Sequence, residues 1–161
     1  FQKTSTEAIK IEGASEDHCA LIKKLTEVGI PVMGHIGLTP QSVHQLGGYY
    51  KHGKSNNEAH FLYESAKNLE KAGVFGLVLE CVDSSVARKI TESLNIPTIG
   101  IGSGKYVDGQ VLVINDLLRM GVDSPPSFCK PISDLYNLKR SLIEDYLKPS
   151  DELQSLPNHL Q

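Results

Sequence analysis

Four residues whose side chains could do acid–base or ligand chemistry stand near the ends of predicted strands. Lys10 and Glu12 alternate with two isoleucines, so period-two geometry places the lysine and the glutamate on one face of a strand. His35 lies near the end of a second apolar run, and Glu80 follows a third. An ammonium group can bind a carboxylate, and a desolvated carboxylate can act as a base or bind a hard cation.

Each of these residues also has a purely structural interpretation. Lys10 and Glu12 could form an ion pair, and a single histidine at a strand end is more often a satisfied core residue than a catalyst. Glu80 is harder to explain in this way, because a buried carboxylate without partners costs several kcal/mol. Such a position indicates chemistry, a metal or an ion pair. The short Gly102-Ser103-Gly104 stretch could hold a phosphate, although a plain tight turn is the simpler interpretation.

The elements that must position these residues alternate between strand and helix. Helical repeats follow candidate N-caps at Ser15, Asn57 and Ser84 or Ser85. The predicted strands lie at residues 7–13, 30–36, 74–82, 97–102 and 110–114, and a last helix begins near residue 135. Strands and helices that alternate in this way form βαβ units with a parallel sheet.

Two architectures fit such a sheet, a doubly wound fold and a (β/α)8 barrel. The G-x-G-x-x-G turn that favours a Rossmann sheet is missing, and residues 100–104 come nearest to it without the third glycine spacing. A barrel takes about 250 residues, so this chain would hold about half of one. In both architectures the carboxyl ends of the strands carry the site, which predicts that the four residues meet at one edge.

Composition excludes several classes of protein. The chain has 161 residues, 16 Lys and Arg against 19 Asp and Glu, and a net charge of −3. This mild acidity, without any basic block, gives no sign of a nucleic-acid surface, and no apolar run is long enough to cross a membrane. The chain has three cysteines that lie far apart and form no C-x-x-C motif, which argues against a disulfide framework or a zinc ribbon. We therefore expect a reducing compartment, the cytoplasm, or the mitochondrion in a eukaryote.

Several strings of residues resemble the signatures of one enzyme family. They occur in order between about residues 9 and 148, and the string that begins at Gly34 is highly specific. The strings are KIEG at 10–13, GHIGLTPQ at 34–41, GGY at 47–49, LVLECV at 77–82, IGIGSG at 99–104 and DGQVLV at 108–113. The chain thus resembles the ketopantoate hydroxymethyltransferase (3-methyl-2-oxobutanoate hydroxymethyltransferase) family.

The resemblance implies a (β/α)8 barrel, of which this chain would supply strands four to eight and the C-terminal helix. Residues 1–149 would form the partial barrel and residues 150–161 a tail. The family transfers a hydroxymethyl group from 5,10-methylenetetrahydrofolate to 3-methyl-2-oxobutanoate, giving 2-dehydropantoate in pantothenate biosynthesis. Magnesium chelates the keto acid, and full-length members assemble as homo-oligomers, typically decamers. The expected partners are therefore a small keto acid and a folate.

The resemblance also implies a role for each of the four residues. Glu80 matches the base that takes the C3 proton of the keto acid, and Lys10 matches the lysine that binds the substrate carboxylate. Glu12 matches an acidic residue of the magnesium site. His35 matches a histidine of the active-site wall, where it supports the other groups.

The sequence departs from the family in two respects. The family's two metal-binding aspartates belong to a segment that would precede Phe1, and Asn115-Asp116 replaces the His-Asp of many members. We expect these 161 residues alone to be weakly active or inactive. The alternative is therefore that the chain is an inactive remnant or pseudoenzyme with only a binding or structural role. A third interpretation is another magnesium-dependent keto-acid barrel, such as a lyase, but those enzymes lack the string found here at 34–41.

Overall fold

The structure is a computed structural model that describes residues 4–38 and 51–147. Residues 39–41 and 47–49 of the family strings, and the predicted tail at 150–161, lie outside the described residues. The chain divides into two compact units, Phe1–Val111 and Leu112–Gln161. The proposed division into a partial barrel at 1–149 and a tail stays a prediction.

The first unit alternates strands and helices, as the sequence predicts. Its elements are β1 (Ile9–Glu12), α1 (Glu16–Glu27), β2 (Val32–Gly37), α2 (Asn56–Ala72), β3 (Gly76–Glu80), α3 (Ser84–Ser93), β4 (Thr98–Ile101) and β5 (Gly109–Gln110). All neighbouring strands pair in parallel, and their order in the sheet is the order in the chain, β1-β2-β3-β4-β5. The carboxyl ends of the strands therefore lie along one edge.

The hydrophobic core lies on one face of this sheet. Ile36 pairs with Leu79 and Gly34 with Leu77, so these side chains share a face. That face packs against all three long helices of the unit, which contribute Ile22 from α1, Leu62, Ala66 and Leu69 from α2, and Val86, Ala87 and Ile90 from α3. Helices on one face and strands in sequential order are the arrangement of a (β/α)8 barrel, because a doubly wound sheet carries helices on both faces. The predicted α/β class is confirmed.

The N-caps were only partly predicted. Ser15 caps α1, where its hydroxyl accepts the His18 N–H. The prediction of Asn57 was wrong, because Ser55 caps α2 two residues earlier. The prediction of Ser84 or Ser85 was also wrong, because the Asp83 carboxylate accepts the Ser85 N–H at 2.9 Å and caps α3. Carboxylates and hydroxyls both suit this position, so neighbouring candidates compete.

The predicted fifth strand was too long. Only Gly109 and Gln110 pair with β4, and the Val111 N–H makes the last bond, to the Gly100 carbonyl. The strand β4 ends at Ile101, and Gly102 follows in a left-handed conformation with φ 66°. The chain beyond Val111 therefore has no β4 backbone to pair with.

Between residues 112 and 147, the described part of the second unit forms two helices, α4 (Ile114–Leu117) and α5 (Leu135–Leu147). The Ile132 and Leu135 N–H groups donate to the Leu117 and Leu118 carbonyls, which ties the start of α5 to α4. In the described part of the chain, none of the helices has the length and apolar character that crossing a bilayer requires.

The Asp83 cap gives a test of the fold near the predicted site. Hydrogen bonds from the Ser85 hydroxyl and N–H lower the pKa of Asp83 below its ordinary value of 3.8. Asp83→Ala should lower the free energy of unfolding by about 1 kcal/mol, measured by urea denaturation, because α3 loses its cap. Asp83→Asn is the matched control, and its free energy of unfolding should fall much less, because asparagine is also a good N-cap.

The sign of the pH dependence follows from the lowered pKa. The charged form of Asp83 is favoured in the folded state, so its contribution is complete above pH 3.8 and is lost as the pH falls through the lower folded value. The stability difference between the wild-type protein and Asp83→Asn should therefore shrink on acidification. An Asp83→Ala variant as stable as the wild type would contradict this account of the α3 start.

Candidate active site

The carboxyl ends of the first three strands bring the four candidate residues together on the sheet face opposite the helices. Glu12 on β1 lies opposite His35 on β2 in the register, and Glu80 at the end of β3 lies opposite Gly37. His35 Nδ1 is 3.6 Å from Glu12 Oε1, and His35 Nε2 is 3.2 Å from Glu80 Oε2. The imidazole thus stands between two carboxylates from the neighbouring strands.

His35 is the most deeply buried member of this cluster. Its side chain is 1% exposed, against 15% for Glu80 and 25% for Glu12. Both ring nitrogens are at ion-pair distance from a carboxylate, yet neither makes a hydrogen bond of normal geometry among the described residues. The described contacts of the His35 ring are thus close approaches to a carboxylate on each side, which is the environment of a charged cluster and not of an apolar core.

Lys10 forms the exposed end of the cluster. Its Nζ is 4.0 Å from Glu12 Oε1, and its side chain is 48% exposed. A pair at this distance with a half-exposed partner contributes little to stability. The ammonium group is consequently free to bind an incoming anion without loss of an important structural contact.

The chain turns sharply after Glu80. Cys81 has φ 52°, a left-handed conformation that is uncommon for a residue other than glycine. Burial, reinforced by the Glu80 carboxylate and opposed by Lys51, raises the pKa of the Cys81 thiol to about 11. The thiol is therefore neutral near pH 7 and adds no charge beside Glu80.

The glycine-rich stretch after β4 is a tight turn with a buried serine. The Ser103 hydroxyl is fully buried, accepts the Val82 N–H at 3.0 Å and donates to the Leu79 carbonyl at 2.6 Å. The Ser103 hydroxyl thus joins Leu79, the residue before Glu80, to Val82, the residue after Cys81, and it is not directed at a ligand. The sequence suggested a phosphate cradle or a plain turn here, and the contacts favour the turn.

Asp108, which begins the DGQVLV string, also has a structural role. Its carboxylate accepts the Thr98 N–H at 2.8 Å and the Thr98 hydroxyl at 3.0 Å. These bonds fasten the segment before β5 to the start of β4. Sequence reasoning matched the string but did not assign this contact, because the two residues are ten positions apart.

A magnesium ion would find an incomplete ligand set in these residues. Across residues 4–38 and 51–147, no three His, Cys, Asp or Glu side chains are grouped so that they could hold a metal. Glu12 can offer a carboxylate oxygen at the open end of the cluster, and Mg²⁺ often takes one or two protein carboxylates with water and substrate oxygens. The described residues thus fit one ligand and not a complete site.

The chain is similar to proteins of one family over nearly all of its length. A family model described as ketopantoate hydroxymethyltransferase matches residues 1–155. A Thermotoga maritima protein named 3-methyl-2-oxobutanoate hydroxymethyltransferase is 50% identical over 146 residues, which are 91% of this chain and 54% of that protein. A protein of the same name from Legionella pneumophila (strain Paris) is 53% identical over 128 residues, 80% of this chain and 49% of the relative.

The same name belongs to a protein of Thermotoga sp. (strain RQ2), which is 49% identical over 152 residues, 94% of this chain and 56% of that protein. The chain therefore spans about half the length of the curated relatives it matches. Because the family model covers almost the whole chain and the relatives share about half of its residues, this protein belongs to the ketopantoate hydroxymethyltransferase family.

Proposed function

We propose that the protein to which this chain belongs is a 3-methyl-2-oxobutanoate hydroxymethyltransferase of pantothenate biosynthesis. The donor would be 5,10-methylenetetrahydrofolate and the product 2-dehydropantoate. The observation that carries the proposal is the contact of Glu80 with the buried His35, at 3.2 Å, on the strand edge that also holds Lys10 and Glu12. Family membership and the names of the relatives support a hydroxymethyltransferase reaction.

In this proposal Glu80 is the base. The C3–H bond of the keto acid breaks, its proton moves to a Glu80 carboxylate oxygen, and the electron pair is delocalised onto the keto oxygen. Glu80 is 15% exposed, so most of its side chain is shielded from water while part of it is still open to a substrate. His35, whose Nε2 is 3.2 Å from Glu80 Oε2, would help to position that carboxylate.

Lys10 would bind the end of the substrate that does not react, and Glu12 would belong to the magnesium site. The half-exposed ammonium of Lys10 can bind the keto-acid carboxylate. Its ion pair with Glu12, at 4.0 Å, is weak, so the substrate carboxylate would be the stronger ionic partner of Lys10. Glu12 would contribute one carboxylate ligand to Mg²⁺. Magnesium, when bound, supplies a Lewis acid that stabilises negative charge on the keto oxygen.

The oligomeric state and the compartment belong to the same proposal. Full-length members would form homo-oligomers, typically decamers, and the protein would act in the cytoplasm or, in a eukaryote, in the mitochondrion. The oligomer is proposed from the family resemblance alone and the compartment from the cysteine content, and the four-residue cluster does not depend on either.

Glu80→Gln tests the base directly in the full-length protein. The rate of hydrogen–deuterium exchange at C3 of 3-methyl-2-oxobutanoate, followed by NMR, should fall by about 10²–10⁴-fold, because the amide cannot take the proton. Binding of the keto acid, measured by calorimetry, should change only a few-fold. Glu92→Gln is the matched control, since Glu92 is exposed and pairs with Arg88 on α3.

Two outcomes would count against this assignment. Exchange by Glu80→Gln at the wild-type rate would remove Glu80 from the role of base. A full-length wild-type protein that binds the keto acid and exchanges no C3 proton would favour the alternative, an inactive relative of the enzymes.

Lys10→Met and Glu12→Gln separate the two binding roles. Lys10→Met should weaken keto-acid binding by about 10-fold or more, the effect of losing one charged hydrogen bond, and leave the Mg²⁺ concentration for half-maximal exchange unchanged. Glu12→Gln should raise that Mg²⁺ concentration by a similar factor. Each variant is the control for the other, and equal shifts of both quantities in both variants would contradict separate roles.

A further inference from the structure

Gly37, the last residue of β2, lies unusually close to the backbone of Glu80. The two residues are register partners, and the Leu38 N–H donates to the Glu80 carbonyl at 2.9 Å. Gly37 has φ 98°. A Cβ atom at this position would overlap the Glu80 carbonyl oxygen and lie 2.9 Å from Val82 Cγ2. The approach of β2 to β3 at this point therefore requires a residue without a side chain.

The Glu80 backbone is fastened from its other side and cannot easily move away. The Cys81 N–H donates to the Ile101 carbonyl of β4 at 2.8 Å, and the Cys81 carbonyl accepts the His52 N–H at 2.8 Å. The Cys81 conformation, with φ 52°, is already a strained one. A side chain at position 37 would thus press against a turn that hydrogen bonds to Ile101 and His52 hold in place.

The Ser103 hydroxyl closes this framework. It accepts the N–H of Val82 at 3.0 Å and donates to the carbonyl of Leu79 at 2.6 Å, so the residues on both sides of Glu80 and Cys81 are bonded to the β4 turn. The Val82 side chain is fully buried. A methyl group at position 37 would consequently force the β2 and β3 ends apart, because the Glu80 carbonyl and the Val82 side chain occupy the space that it needs.

His35 is two residues before Gly37 on the same strand, so movement of the β2 end changes its distance to Glu80. We propose that Gly37 is a positioning residue, whose missing side chain lets the β2 and β3 ends approach until the Glu80 carboxylate contacts the His35 imidazole. The effect of Gly37 on the C3 exchange rate rests on the proposed function, in which Glu80 is the base. The structural part of the inference concerns only the contact of His35 with Glu80, which is 3.2 Å.

Gly37→Ala in the full-length protein tests the inference, and Gly29→Ala is the matched control. Gly29 has φ 82°, and a Cβ there would meet nothing within 4 Å, so alanine adds comparable backbone strain without a clash. Gly37→Ala should lower the C3 exchange rate at saturating keto acid by about 100-fold, the cost expected of a displacement near 1 Å. The dissociation constant of the keto acid should change only a few-fold, and Gly29→Ala should exchange at the wild-type rate.

The ¹⁵N chemical shifts of the His35 ring give a readout that does not require activity. They should move in Gly37→Ala, because His35 is displaced relative to the Glu80 carboxylate, and stay unchanged in Gly29→Ala. Unchanged His35 shifts in Gly37→Ala would overturn the inference even if Glu80→Gln confirms the base. A wild-type protein without exchange would contradict the proposed function, while the His35 shifts would still decide the role of Gly37.

The double variant Gly37→Ala/Val82→Ala separates the two close contacts that the added methyl group would make. It removes the contact with the Val82 methyl and keeps the overlap with the Glu80 oxygen, so exchange should stay low. Full recovery of exchange would overturn the inference. Failure of both variants to fold, while Gly29→Ala folds, would also overturn it and make Gly37 a requirement of the fold.

Discussion

The structure of the candidate site depends on the placement of one buried imidazole between two carboxylates. His35 is 1% exposed, and its two nitrogens face Glu12 on one neighbouring strand and Glu80 on the other. Burying a polar ring costs free energy unless polar groups surround it, so the two carboxylates and the ring constrain one another. The constraint spans three adjacent strands, and it therefore depends on the parallel register of the whole sheet edge.

This arrangement separates the stable part of the molecule from the part available for chemistry. The apolar core between the sheet and its three long helices lies on the opposite face, where Leu77 and Leu79 of β3 are fully buried. On the site face, exposure increases from His35 through Glu80 and Glu12 to Lys10. Under the proposed function, a substrate anion would reach the ammonium group first, and its reacting carbon would then approach the better buried carboxylate.

Much of the site could be predicted from the sequence because strand geometry is regular. Alternation placed Lys10 and Glu12 on one face, and the parallel class placed His35 and Glu80 at the same edge. The predicted N-cap of α3 was wrong, because neighbouring polar residues compete for that position. The predicted length of β5 was wrong, because β4 turns away at Gly102. The close approach at Gly37 and the bridging role of Ser103 depend on contacts between strands, which spacing along one chain does not determine. The roles of the four residues stay predictions.

In the proposed function, this strand edge holds a keto acid with its C3 atom beside Glu80. A crystal structure of the full-length protein with 3-methyl-2-oxobutanoate and Mg²⁺ would show where the substrate lies. We expect a Glu80 carboxylate oxygen about 3–3.5 Å from C3, with the substrate carboxylate against Lys10 and His35 still between Glu12 and Glu80. A bound keto acid whose C3 atom is remote from Glu80, or a Glu80 side chain turned away from His35, would contradict this expectation.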